Sequence, residues 1–326
     1  MWFVTQRGSM GTKLKVKDLI HPYFVVEGQR KKESVKNFPG VYRFSLDRLL
    51  RDIKITRGLG IDKVLLFGIP SKKDAAGTSA YAGENIVSRA VRTLKNEFKN
   101  IAVFTDVCLC GYTTHGHCGI IKPQDRSHTL TGIGKTQVKI DNKKTLNALS
   151  EMALRHAEAG ADWVAPSAMA SGQILAIRRA LDRNGLKKTK ILGYSAKFAS
   201  NFYGPFRQAA DSAPAFGDRS GYQLDHSDAK AALKEIACDI REGADMVMVK
   251  PALSYLDIIR EASWKFKFPL AAYNVSGEYA FVKYGAKRGL WDEKKMVFEI
   301  LTSIRRAGAG LIITYHAKDA AHWLTK

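Results

Sequence analysis

The segment DVCLCGYTTHGHCG, residues 106–119, gathers three of the chain's four cysteines and two of its eight histidines directly behind an apolar run. Thiols this close together can hold a metal, act as nucleophiles or, in an oxidising compartment, pair as disulfides. Two lysines also stand at places where chemistry is possible. Lys250 ends the apolar run MVMVK, before a proline that cannot continue a strand ladder, and Lys197 ends the preceding run. An ammonium in an apolar setting with a second one nearby has a lowered pKa, and the free amine attacks a carbonyl carbon to give a Schiff base. A lone lysine at a strand end is more often a snorkelling or salt-bridged residue. Two of them beside a thiol cluster point to carbonyl chemistry.

Such side chains need a frame that brings them together. Four times a helical pattern ends on a glycine-containing turn and leads into an apolar run: LGIDKVLLFG from Leu59, AGADWVAPS from Ala159, EGADMVMVKP from Glu242 and AGAGLIITY from Ala307. Further apolar runs lie at 18–26, 100–107, 190–196 and 269–275, and amphipathic stretches such as KTLNALSEMALRHAEAG separate the eight. Eight alternating strands and helices predict an α/β fold, a (β/α)8 TIM barrel spanning 18–326, preceded by an N-terminal arm or extension at 1–17. A doubly wound open sheet is the second choice, but no G-x-G-x-x-G follows any strand. The two longest breaks in the rhythm, 108–142 and 198–226, follow strands and so belong at the carboxyl-terminal face, where barrel enzymes build their sites.

Composition narrows the class of function. The chain has 326 residues, 45% of them hydrophobic, and no apolar stretch long enough to span a bilayer, so a soluble, cytoplasmic protein is expected. In that compartment a metal or catalytic role for the thiols is favoured over a disulfide. With 52 Lys+Arg against 31 Asp+Glu the net charge is +21, which raises nucleic-acid binding as a hypothesis. The basic residues are dispersed, without a basic tail or a zinc-finger or RNA-binding motif. That argues against nucleic acid as the main partner and for a solvated basic surface that gathers an anionic substrate.

With these residues in place, the chain resembles the porphobilinogen synthase (5-aminolevulinate dehydratase) family from about Asp18 to Ala321. The likeness rests on DLIHPYFVVEG, FPGVYRFSLD, DVCLCGYTTHGHCG, KFASNFYGPFR, GDRSGYQLD, MVMVKPALSYLD, YNVSGEYA and ITYHAKDAA, in that order. The resemblance implies a lyase of tetrapyrrole (heme) biosynthesis that condenses two 5-aminolevulinate molecules into porphobilinogen. It assigns Zn2+ to Cys108, Cys110 and Cys118. Three protein ligands leave the open position a catalytic zinc requires, with His115 and His117 in an outer shell. Cys238, in a helix far away in sequence, reads as a small buried hydrophobe.

The resemblance further implies that Lys250 holds the first substrate and Lys197 the second, both as Schiff bases. Asp106 would orient the second substrate's amine or shuttle its proton. Arg207 and Arg219, with Gln223, match the donors for one substrate carboxylate, and Ser276 and Tyr315 those for the other. Tyr203 and Phe206 match an aromatic wall, and 198–226 would form a lid. Family members are homo-octamers whose amino-terminal arm wraps a neighbour, and some bind a regulatory Mg2+, for which Glu235 is the candidate here. Two departures stand out: Ser171 in APSAMASGQ replaces a usual aspartate, and DRSGYQ replaces the more usual DRKTYQ. A one-lysine class I aldolase would leave the cysteines and the second lysine unexplained. A basic binding protein on a retired barrel scaffold is the third reading.

Overall fold

The computed structural model describes residues 12–122 and 138–325. Most of the expected arm, including Met10, and 123–137 of the first long break lie outside the described residues. Eight parallel strands close into a barrel: β1 (Leu19–Val26), β4 (Lys63–Ile69), β5 (Ala102–Val107), β6 (Trp163–Pro166), β7 (Lys190–Lys197), β8 (Met246–Lys250), β9 (Leu270–Asn274) and β10 (Leu311–Thr314). Closure comes from β10 pairing with β1, Leu19 opposite Ile312 and Ile20 opposite Ile313. Each strand coincides with one of the eight expected apolar runs, and the open-sheet alternative is ruled out. A short antiparallel pair, β2 (Lys32–Ser34) and β3 (Tyr42–Phe44), is appended through β3 to the end of β1.

Helices α1 (Leu46–Gly58), α2 (Ile86–Glu97), α3 (Asn142–Glu158), α4 (Gln173–Arg183), α6 (Ala229–Arg241), α7 (Leu256–Phe266), α8 (Ser276–Lys287), α9 (Glu293–Ala307) and α10 (Ala317–Leu324) follow the strands, and a short α5 (Gly204–Ala209) lies in the loop after β7. The glycine turns foreseen at the helix ends are left-handed: Gly60, Gly160, Gly243 and Gly308 have φ of 83°, 99°, 100° and 127°. There the lack of a Cβ lets the chain reverse from helix into strand.

Side-chain alternation divides the core in two. Ile20 and Phe24 of β1, Leu65 and Phe67 of β4, Phe104 of β5, Leu192 and Tyr194 of β7, Met248 of β8 and Ala271 and Tyr273 of β9 fill the barrel. Their neighbours, such as Val25, Val64, Leu66 and Val103, pack outward on α1 and α2. Lys250, two residues after Met248, therefore faces inward by simple alternation. Lys197, three residues after the inward Tyr194, would face outward. An extra residue on β7 between Gly193 and Ala196 corrects this, so that Lys197 pairs directly with Lys250. Such a bulge re-aims every side chain beyond it.

Two of the junction glycines differ in surroundings. A Cβ on Gly308 would lie 2.4 Å from the Ser263 side chain, whereas one on Gly160 would meet only the Lys95 side chain at 3.6 Å. Gly160→Ala should thus cost about 1 kcal/mol of left-handed strain and Gly308→Ala roughly 2–4 kcal/mol. Thermal unfolding of the two variants measures the difference.

Candidate active site

The two lysines lie side by side at the carboxyl-terminal mouth of the barrel, 5% and 4% exposed for Lys197 and Lys250. Lys197 donates to the Ser167 carbonyl. Burial, then the neighbouring Lys197 charge, lowers the Lys250 amine to about 7, against opposing pulls from Asp106, Cys110 and Cys108. Asp106, the last residue but one of β5, lies on the inward face two residues after Phe104, and one of its carboxylate oxygens is buried without a partner. Burial raises that carboxyl to about 6, while a Ser167 hydrogen bond and the two lysines pull the other way.

The thiols follow immediately. Cys108, Cys110 and Cys118 are buried and free, with sulfurs all within 4.8 Å of one another, and Cys108 and Cys110 are in contact at 3.3 Å. Tetrahedral thiolates bound to zinc sit about 3.8 Å apart, given Zn–S bonds of about 2.3 Å, so the trio fits one soft cation with small adjustments. Hydrogen bonds from Cys108 and Cys110, with the Arg219 charge, hold the Cys118 thiol well below its ordinary value.

The histidines are committed elsewhere. His117 bonds through Nδ1 to the Tyr222 hydroxyl at 3.1 Å and through Nε2 to the Phe216 carbonyl at 2.9 Å, and His115 Nε2 faces the Ala75 carbonyl at 3.1 Å. Tyr222 in turn receives the Cys118 amide at 3.4 Å. The histidines thus brace the thiol loop from behind. Cys238 lies outside the cluster, but it is half-buried on α6, where its thiol donates to Glu242 at 3.4 Å. The expectation of a fully buried hydrophobe is corrected: α6 turns this residue toward a cavity shared with Glu235, Asp239, Glu242 and Ser171.

The segment 198–226 lies across the mouth. Phe206 of α5 packs on Phe24 and Phe67, 5.7 and 5.0 Å between ring centres, and Arg43 Nε donates to the Ala209 carbonyl at 2.8 Å. Lys73 pairs with the Asp211 carboxylate at 2.5 Å. In the altered DRSGYQ turn, Ser220 bonds through its amide to Asp218 at 2.9 Å, which closes the turn locally. Beneath it Arg219 donates to the Gly116 carbonyl at 2.8 Å. The Nε atoms of Arg207 and Arg219 and both amide atoms of Gln223 are buried without partners. Unsatisfied buried donors of this kind suit a carboxylate ligand.

On the opposite side Tyr315 shares a hydrogen bond with Tyr273 at 3.0 Å. The Ser276 hydroxyl is engaged by the lid itself, donating to the Phe202 carbonyl at 3.0 Å and accepting from the Phe206 amide at 3.1 Å. Sequence reasoning missed Glu278. Its buried carboxylate accepts from the Val275 and Leu253 amides, both at 2.6 Å, and so ties the start of α8 to the loop behind Lys250. Little in the amino-acid order signals it, because Val275, three residues before, has no side-chain acceptor to complete a capping box.

A family profile described as "Delta-aminolevulinic acid dehydratase" matches residues 4–323. The chain belongs to the delta-aminolevulinic acid dehydratase family. It is 50% identical to the enzyme of that name from Synechocystis over 95% of this chain and 92% of the relative, and 48% identical to that of Bacillus subtilis over 97% and 93%. Among solved structures, the Toxoplasma gondii delta-aminolevulinic acid dehydratase (porphobilinogen synthase), in complex with the reaction product porphobilinogen, superposes with a TM-score of 0.91 at 39% identity. That match covers 97% of this chain and 87% of the other.

An amine lowered to about 7 is half neutral at neutral pH, whereas an ordinary lysine is almost fully protonated there. Reductive trapping of a small ketone on Lys250 should therefore speed up as pH rises from 6 to 8 and then level. A rate still climbing above pH 9, followed by peptide mass spectrometry, would contradict the lowered amine.

Proposed function

We propose that this chain is a porphobilinogen synthase in which Lys250 and Lys197 each hold one 5-aminolevulinate as a Schiff base, and two waters leave as the pyrrole forms. The observation that carries the reading is the direct pairing of the two lysines in one barrel mouth shared with the three thiols. A one-lysine aldolase has no use for that pairing, and the basic surface alone gives a binding-protein reading no support.

Neutral Lys250 attacks the ketone carbon of the first substrate. The carbinolamine then loses water, leaving a carbon–nitrogen double bond. Lys197 does the same to the second substrate. Asp106, with a free carboxylate oxygen on the inward face beside both lysines, holds the second substrate's amine or moves its proton. Arg207, Arg219 and Gln223 receive one substrate carboxylate through their unpartnered donors, and Tyr315 with Ser276 the other, once Ser276 gives up its lid contacts. Tyr203 and Phe206 wall the reacting carbons, and the 198–226 lid keeps water from two hydrolysable imines. Zinc held by Cys108, Cys110 and Cys118 would supply a Lewis acid for the second substrate's amino group.

The remaining parts of the reading rest on resemblance: residues 18–326 as one catalytic domain, a cytoplasmic homo-octamer wrapped by its amino-terminal arms, and regulatory magnesium near Glu235. Glu235 shares its cavity with Asp239 and Glu242. No helix among the described residues is long and apolar enough to cross a membrane.

Porphobilinogen should form from 5-aminolevulinate under reducing conditions, stop on zinc chelation and return with zinc. Lys250→Ala should lower turnover by at least about a thousandfold, because the nucleophile itself is removed. Normal turnover by that variant would defeat the two-lysine mechanism. Serine at all three cysteines should remove one equivalent of metal by elemental analysis.

A further inference from the structure

Lys250 is surrounded in a way that its partner lysine is not. Its Nζ lies 4.3 Å from the ring centre of Tyr273, 5.1 Å from Tyr194, 5.2 Å from Tyr203 and 5.1 Å from Phe206. All four lie within the range at which an aromatic face attracts a cation. Among the described residues Lys197 has one such ring, Tyr194 at 5.8 Å, and it spends its amine on the Ser167 carbonyl. The hydroxyls of two of the cage tyrosines point away from the amine: Tyr203 donates to the Phe198 and Lys250 carbonyls, and Tyr273 meets Tyr315. Tyr194 is buried on the barrel floor, and its hydroxyl has no hydrogen-bond partner among the described residues. What these rings offer Lys250 is their π faces.

We infer that Tyr194 and Tyr273, together with Tyr203 and Phe206, form an aromatic cage that stabilises the cationic iminium at Lys250 Nζ, which makes the two floor tyrosines catalytic residues of the first imine. The inference rests on the two-lysine reading above. Its chemistry follows from the charge balance: ketone, neutral amine and one proton from solvent give iminium and one water. The amine must be neutral to attack, yet the imine must be protonated to draw electrons from the adjacent carbon. A contacting carboxylate would serve the second need and spoil the first, since it raises a lysine's pKa by favouring the ammonium. Rings favour the cation more gently, at a distance the burial of the amine still outweighs; the lowered Lys250 pKa is consistent with that balance. Because Lys197 lacks the cage, the Lys250 iminium is the longer-lived of the two.

The test uses 4-oxopentanoate, the substrate without its amino group, so that no ring can close. The intact enzyme is incubated with it across pH 6–9, reduced with borohydride, and the label on the Lys250 and Lys197 peptides is quantified. Wild type should label Lys250 preferentially. Tyr194→Leu and Tyr273→Leu should need roughly tenfold more ketone for half-labelling than wild type, and Tyr194→Phe, which keeps the ring and loses only an unpartnered hydroxyl, should recover most of that loss. In the leucine variants the pH above which the protonated imine is lost should also fall, a change that loosened packing alone would not produce. Phe206→Leu, on the partly exposed side of the cage, gives the same readout with less disturbance of the barrel core. Leucine variants, Phe206→Leu included, with the wild-type ketone dependence and pH profile would overturn the cage, as would a Tyr194→Phe variant that falls as far as Tyr194→Leu. Absence of any Lys250 label in wild type would remove the two-lysine reading and the cage with it, while label without ring dependence removes the cage alone.

Discussion

Two ammonium groups held next to each other out of water form the constraint around which the rest of this barrel is organised. Like charges on adjacent strand ends repel, and burial penalises each of them, so one amine is driven toward its neutral, nucleophilic form. Such a pair is tolerated only where the surrounding fold fixes both stems. Here that is done by parallel strands whose backbone hydrogen bonds hold the lysines in register. A more flexible loop would let the two separate and Lys250 recover its ordinary basicity.

The other parts of the site temper this arrangement from different sides. Asp106, Cys110 and Cys108 oppose the loss of the Lys250 proton, while the aromatic rings around Lys250 favour a cation without pairing with it. Arg219 sits between functions: its charge lowers the Cys118 thiol, and its unpartnered Nε stands beside the other unfilled donors of the lid. One residue thus links the thiol cluster to the unpartnered donors of the 198–226 segment. The His117–Tyr222–Cys118 chain couples the same cluster to the lid, because Tyr222 belongs to the altered DRSGYQ turn. Closing the turn through Ser220 and Asp218 keeps both Arg219 and Tyr222 in place without the usual lysine. Nothing in the structure explains the size of the positive charge.

Much of the architecture is legible in the amino-acid order because its causes are local. Eight apolar runs mark the strands, since a parallel strand buried on both faces must be apolar throughout. Glycines such as Gly160 and Gly308 mark the helix ends, since their left-handed backbone excludes most other residues. The gathering of Cys108, Cys110 and Cys118 is readable from their spacing, and the placing of Lys250 inside the barrel follows from strand alternation.

What depends on contacts between distant segments was decided only by the tertiary structure. Lys197 faces its partner because of one extra residue in β7, a shift that reverses the side-chain period and leaves only Gly193 as a hint. The commitment of Ser276 to the lid, the bracing of His117 from the far side and the clasp made by Glu278 join residues 25 to 105 positions apart. The four rings around Lys250 come from β7, the lid and β9. Sequence determined the strands, their turns and the kinds of reactive group. Barrel closure determined which of those groups meet, because only packing brings such separated segments within bonding distance.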